Sequence, residues 1–172
     1  MTIETLVPNG DDGGWPTGSY LDVDEGIASV DGVFLETNTD PDVVILDLSA
    51  SAIVDGDTVN SVTVKIHAKD GAGGGTNSID VDLLIGGTGQ GQVGTGTLTG
   101  TLTTYTLTEN TLWDLDWTAA ELAGMQLEVT SAQSGKGYAA TWSIDAIEVE
   151  IDYTAAAGGG GVEILRRRIL EG

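Results

Sequence analysis

The chain has no cysteine, which excludes a disulfide framework and any thiolate metal site. It has one histidine, His67, which excludes a multi-histidine zinc site. Basic residues are scarce, 6 against 27 acids, for a net charge of −21. Such a surface repels a phosphate backbone and an anionic membrane, so neither nucleic acid nor membrane is expected as a partner. Basic surfaces, divalent cations or a high-salt milieu suit it better. No apolar stretch is long enough to span a bilayer. The start, MTIETLVPNGDD, has no basic segment leading into an apolar run, so no signal peptide is expected. Proline is limited to 3 residues and aromatics to 5%, while glycine reaches 26. Much glycine among threonine-rich runs suits turns between short strands and argues against helices. With 40% hydrophobic and 19% charged residues, the 172-residue chain belongs with folded single domains.

The clearest pattern runs from Val62 to Ile85. Val62, Val64, Ile66 and Ala68 share one side of an extended chain, and Thr63, Lys65, His67 and Lys69 the other. After DGAGGGTN the alternation resumes, with Ile79, Val81, Leu83 and Ile85 inward and Ser78, Asp80 and Asp82 outward. A period of two means one buried and one wetted face. The two runs read as a β-hairpin forming one wall of a sandwich.

Other strands are expected at Thr2–Val7, stopped by Pro8-Asn9-Gly10, at Val33–Thr37 and at Asp42–Leu48. The last is apolar on both faces at its start, as a strand covered on both sides would be. Asp11–Ser19 reads as a loop with Trp15 folded back over the core edge, and Tyr20–Asp31 as an acidic excursion. Thr97–Thr108 switches face between Leu102 and Tyr105, which calls for a bulge. LWDLDW, Leu112–Trp117, is aromatic and acidic. Thr118 and Glu121 form a capping box for one helical turn, closed by Gly124. Met125, Leu127 and Val129 mark another strand, followed by the turn SAQSGKG. In the closing strand, Ala139–Tyr153, residues Ile147, Val149, Ile151 and Tyr153 point inward. Trp142 and Ile144 have the opposite parity, placing a bulge near Asp145–Ala146.

These runs define an all-β fold, an antiparallel jelly-roll β-sandwich of about eight strands in which first and last strands pair. The sandwich is assigned residues 1–153. Residues 154–161 are a glycine-rich linker. Residues 162–172, VEILRRRILEG, are an apolar-basic arm. Residues 1–161 carry 3 Lys against 25 acids, a net of −22, while the arm carries 3 Arg against 2 Glu, a net of +1. Val162, Ile164, Leu165, Arg166, Arg167, Arg168, Ile169 and Leu170 are the expected docking residues for a neighbour's surface.

Reactive motifs are weak. GQGQVG, Gly89–Gly94, matches GxGxxG, but the β-prone TGTLTGTLTTYTL follows where a dinucleotide site needs a helix. His67 lies on the outward face between two lysines and reads as solvated. Paired carboxylates abound (Asp40 and Asp42, Asp55 and Asp57, Asp80 and Asp82, Asp114 and Asp116), as such acid density brings about by chance. Glycosidase chemistry needs a pair set across a cleft with one pKa raised, and nothing places a pair so. No enzyme activity or organic cofactor is expected. Calcium is the metal that loop acids suit, with Asp22, Asp24 and Glu25 the first candidates, although no EF-hand pattern occurs. Trp15, Trp113, Trp117 and Trp142 read first as packing residues. The alternative is a glycan-stacking platform of Trp113 and Trp117, as in a carbohydrate-binding or adhesin module.

Several stretches together resemble a module common in tailed-phage virion proteins. They are LVPNGDDGGW (Leu6–Trp15), DVDEG (Asp22–Gly26), VFLET, VNSVTVKIHAKDG, GTLTTYTLT and TWSIDAIEVEIDY, covering roughly residues 3–153. The resemblance implies a jelly-roll structural domain on a bacteriophage particle, made in the bacterial host. It would serve as a capsid decoration protein or a tail-associated part, with the major capsid protein, neighbouring virion subunits or further copies of itself as partners. A single module with an arm favours decoration over a long fibre. The resemblance supplies no functional residues.

Overall fold

The structure, a computed structural model, describes residues 2–71, 75–109, 117–135 and 140–156. In chain order the strands are β1 (Thr2–Leu6), β2 (Pro8–Asp12), β3 (Leu35–Thr37), β4 (Val43–Leu48), β5 (Thr58–Asp70) and β6 (Thr76–Ile85). They continue with β7 (Thr88–Gly89), β8 (Val93–Gly94), β9 (Thr103–Glu109), β10 (Gln126–Ser134) and β11 (Trp142–Thr154). They form a two-sheet, antiparallel β-sandwich of jelly-roll-like arrangement. The first sheet has the order β1-β11-β5-β9, with β3 also on β11. The second has the order β2-β4-β10-β6, with β7 and β8 both on β6. First and last strands pair, Thr2 opposite Tyr153 and Leu6 opposite Val149.

The alternation identified the buried faces. Val62, Val64, Ile66 and Ala68 of β5 and Ile79, Val81 and Leu83 of β6 are all fully buried in one core. Each valine, isoleucine or leucine among them contributes roughly 1.5–3 kcal/mol when removed from water. The expected hairpin does not form, however. β5 bonds to β11 and β9, whereas β6 bonds to β10, β7 and β8, so the two runs lie on opposite walls. A period of two says which face is buried and not which strand is the neighbour. Crossing the gap of about 10 Å between sheets sets both apolar faces on the core.

Other boundaries shift for local reasons. Pro8 starts a strand instead of stopping one. Chain direction carries across Val7 from β1 in one sheet to β2 on the edge of the other, where proline's missing N–H is tolerated. β4 is covered on one side only, with Val43 43% exposed and Val44 and Leu46 buried. The second expected strand shortens to β3, leaving Val33 exposed. The run expected as a strand from Thr97 pairs only from Thr103. Its register with β5 is unbroken, so the face switch marks a loop-to-strand boundary and not a bulge. Leu98 still reaches the core from that loop. The helical turn α1 (Ala119–Leu122) has the expected capping box of Thr118 and Glu121. In β11 the register shifts between Ile144 and Ala146, at the expected bulge. Trp15 packs in the core, its Nε1 donating to the Asp42 carbonyl at 3.3 Å.

Candidate functional site

The excursion between β2 and β3 folds onto the outer side of the first sheet. Two short 3-10 turns shape it, Tyr20–Asp22 and Ile27–Ser29. Ser19 caps the first, and Asp22 Oδ2 accepts the Ser19 N–H at 2.7 Å in return. Val23, fully buried, anchors the segment. Two backbone donors then bind it to β11: the Ile27 N–H to Glu148 Oε2 at 3.0 Å, and the Gly32 N–H to Asp145 Oδ1 at 2.9 Å. The Lys69 ammonium stands 4.3 Å from the Phe34 ring centroid. Beneath this cover two acids of β11 that would otherwise meet water are buried, Asp145 and Glu148, while Ser143 is buried where its hydroxyl donates to Glu36 of β3.

Asp145 is the bulged residue of β11, and bulges re-aim side chains in this way. It meets two carboxylates of the excursion. One oxygen each from Glu25, Asp31 and Asp145 lie within 4.8 Å of one another. Asp145 is 1% exposed, Asp31 is exposed and Glu25 lies between. Glu25 Oε1 is buried and accepts no hydrogen bond among the described residues. The Glu25 carboxyl is held above its ordinary value of 4.5, first by burial, then by the charges of Asp31, Asp24 and Asp145, with a backbone hydrogen bond opposing. At 4.8 Å and an effective dielectric of 20, like charges repel by about 3 kcal/mol, less for pairs that include exposed Asp31. The nearby cation of β5, Lys65, is committed elsewhere. Its Nζ lies 3.1 Å from Glu148 Oε1 and 2.5 Å from Glu150 Oε1.

Of the acids read from the sequence as calcium ligands, only Glu25 joins this cluster. Asp22 is occupied as a cap, and Asp24 enters as a neighbouring charge. Asp31 and Asp145 were missed. Asp145 stood at the predicted bulge, which was the one available signal. Among the tryptophans, Trp15, Trp117 and Trp142 are buried, so Trp117 offers no stacking face. Trp113, the linker residues 157–161 and the arm from Val162 to Leu170 lie outside the described residues. His67 sits on the outer face with Nδ1 2.9 Å from Thr104 Oγ1. Among the described residues no carboxylate hydrogen-bonds the ring to orient it as a base toward that hydroxyl, and GQGQVG spans short edge pairings and is followed by the strand β9, not a helix.

Two further surfaces stand out. A cleft of about 300 Å³ is lined by Pro16, Thr17, Glu36, Thr37, Asn38 and Thr141, and holds a single carboxylate. The outer face of the second sheet aligns Glu128 with Asp82 and Ile45, Thr130 with Asp80 and Val43, and Gln126 with Asp47. Among the described residues this face carries acids and apolar side chains and no basic group.

No protein-family profile matches the chain, and no curated protein sequence does. Among solved structures it is similar to Xyl-CBM35 in complex with a glucuronic acid-containing disaccharide. The TM-score there is 0.45 at 17% identity, over 88% of this chain and 94% of that one. It is also similar to a chain in the structure of infectious bursal disease virus Gx strain, at TM-score 0.41 and 12% identity, over 94% of this chain. A Gt strain chain gives TM-score 0.39 and 15% identity over 93% of this chain. The chain spans about a third of the length of those virus chains, 35% and 34%. These are distant likenesses of one sandwich to another.

Proposed function

We propose that this chain is a non-enzymatic structural module of a virus particle, a capsid decoration protein held to the capsid and to neighbouring copies partly by its arm. The observation that carries the reading is the segregation of charge. The sandwich presents an outer sheet face of acids among apolar side chains, Asp47, Asp80, Asp82 and Glu128 beside Val43 and Ile45. Half of all basic residues, Arg166, Arg167 and Arg168, are set among Ile164, Leu165, Ile169 and Leu170 in the arm. An apolar-basic peptide on a tether complements an apolar-acidic face, and tethering raises the effective concentration of such a contact. The two lysines on the described body cannot supply the same contact, since Lys65 is ion-paired and Lys69 covers Phe34.

The test is co-sedimentation of the full chain with purified particles, alongside a chain lacking Val162–Gly172. The full chain should co-sediment and form oligomers in light scattering, with both weakened by high salt. The shortened chain should stay folded and lose both. Equal attachment of the two would end the anchoring role.

The polar cleft favours a second reading, a carbohydrate-binding or adhesin module. Glu36 and Asn38 offer acceptors and donors at its wall, where a sugar's hydroxyls could be read. Glycan-array binding lost in Asn38→Ala, with particle attachment absent, would promote this reading over the first.

A further inference from the structure

We propose that Glu25, Asp31 and Asp145 hold a calcium ion that fastens the acidic excursion to the bulge of β11. An acidic cluster on an open surface means little, because water and salt screen it. Two observations separate this one from the other acids of the chain. Asp145 is 1% exposed, and among the described residues its carboxylate accepts only the Gly32 N–H. Glu25 is half-buried, and its Oε1 is buried with no hydrogen-bond partner among the described residues. Buried carboxylate oxygens need a donor or a cation. The lysines of β5 are already spent on Glu148, Glu150 and Phe34. Among the described residues the position therefore has three anionic ligands, one of them fully buried, and no cation paired with them.

The donor chemistry selects the ion. Three carboxylates and no nitrogen or sulfur ligand favour a hard cation over zinc. The oxygens lie within 4.8 Å of one another. Calcium takes oxygens at about 2.3–2.6 Å, so oxygens on opposite sides of one ion stand about 5 Å apart; magnesium at about 2.1 Å requires a tighter set and stricter geometry. Exposed Asp31 leaves a path from solvent, and water or backbone carbonyls complete the shell. Two ligands come from the excursion and one from the sheet, so the ion would act as a clasp. The same excursion reaches Glu148 through the Ile27 N–H and Lys69 through its own Phe34, so order in this layer would depend on the ion.

The experiment uses the full chain, stripped with EGTA, then titrated with calcium chloride by calorimetry and followed by thermal unfolding. The wild type should bind one equivalent and gain about 5–10 °C in Tm at a calcium concentration 100-fold above Kd. Asp145→Asn keeps an oxygen for the Gly32 N–H, and Glu25→Gln keeps the shape of the side chain. Both should lose at least about ten-fold in affinity and most of the calcium-induced rise. In EGTA, Glu25→Gln should melt no lower than the wild type, because one of three repelling charges is gone. The proposal is overturned if the wild type shows no saturable site, if either variant responds as the wild type does, or if magnesium at equal ionic strength gives the same rise. Should Asp145→Asn fail to fold, Glu25→Gln decides alone.

Discussion

Replacing Lys65 by Met tests how the outer layer of the first sheet is held. Lys65 reaches Glu148 and Glu150 from the adjacent strand, at 3.1 and 2.5 Å, with 26% of its side chain exposed against 11% for Glu148. Breaking a buried pair costs about 3–5 kcal/mol, because one charge is left without compensation, whereas exposed pairs contribute about 0–1 kcal/mol. This pair is partly buried on both sides, so an intermediate loss of about 1–2 kcal/mol is expected. Met preserves the apolar stem, which isolates the charge. Urea unfolding of the wild type, Lys65→Met, Glu148→Gln and the double variant gives the coupling directly. The Lys65 pKa lies above its ordinary 10.5, chiefly through its hydrogen bond to Glu150, with burial opposing and Glu148 adding. A pKa raised by folding contributes stability that is complete below 10.5 and is lost as pH climbs past the folded value. The difference between wild type and Lys65→Met should therefore hold at pH 7 to 9 and shrink as the pH climbs beyond 10.5. A coupling near zero, or a difference unchanged at high pH, would refute the reasoning.

Three further outcomes follow from the same geometry. Asp80 is lifted above 3.8 by burial, so folding disfavours its charged form; the native state is favoured below that value and loses the advantage as pH rises through the folded pKa. Asp80→Asn should melt higher than the wild type at pH 7 and match it near pH 3 in calorimetric scans. Gly18 has φ +91°, and a Cβ there would stand 2.8 Å from the Phe34 carbonyl oxygen and 2.9 Å from Leu35 Cα. Gly18→Ala should cost about 2–4 kcal/mol in urea unfolding, and a wild-type midpoint would show that this crossing is not tight. Trp142 is 1% exposed and its Nε1 donates to the Ser78 carbonyl at 2.9 Å, joining β11 to β6 across the sandwich. Trp142→Phe should lose about 1.5–3 kcal/mol by removing that hydrogen bond and leaving the core underfilled.

The burial pattern was legible because a strand writes its two faces into alternate residues. Val62, Val64 and Ile66, then Ile79, Val81 and Leu83, were placed inward from the sequence, and all are. The pairing of β1 with β11, the bulge after Ile144 and the Thr118 cap were legible for similar local reasons. Partnership between strands was not. Two adjacent runs with equal apolar faces can pair in one sheet or cover each other across two, and alternation is the same in either case. Pro8 misled in the same way. Proline forbids a ladder donor, yet an edge strand has donors to spare, so a residue read as a stop begins β2.

The cluster shows why a site can be hidden in a sequence whose fold is half readable. Acid density made every neighbouring pair of carboxylates a candidate, and closeness along the chain drew attention to Asp22, Asp24 and Glu25. Closeness along the chain is a poor guide in an excursion shaped by 3-10 turns, where one acid turns back to cap its own turn and the next enters only as a neighbouring charge. What brings Glu25 and Asp31 to Asp145 is long-range. The Gly32 and Ile27 donors reach residues 113 and 121 positions away. The readable element was on the other side of the contact. A parity break in β11 forces one residue out of step, and in an alternating strand the residue out of step is the one whose side chain no longer follows the core-or-solvent rule. Here that residue is an aspartate, and the excursion lies over it. A charged residue at a predicted bulge, opposite an acidic segment with no regular period, is thus a stronger pointer to a shared site than any run of adjacent acids.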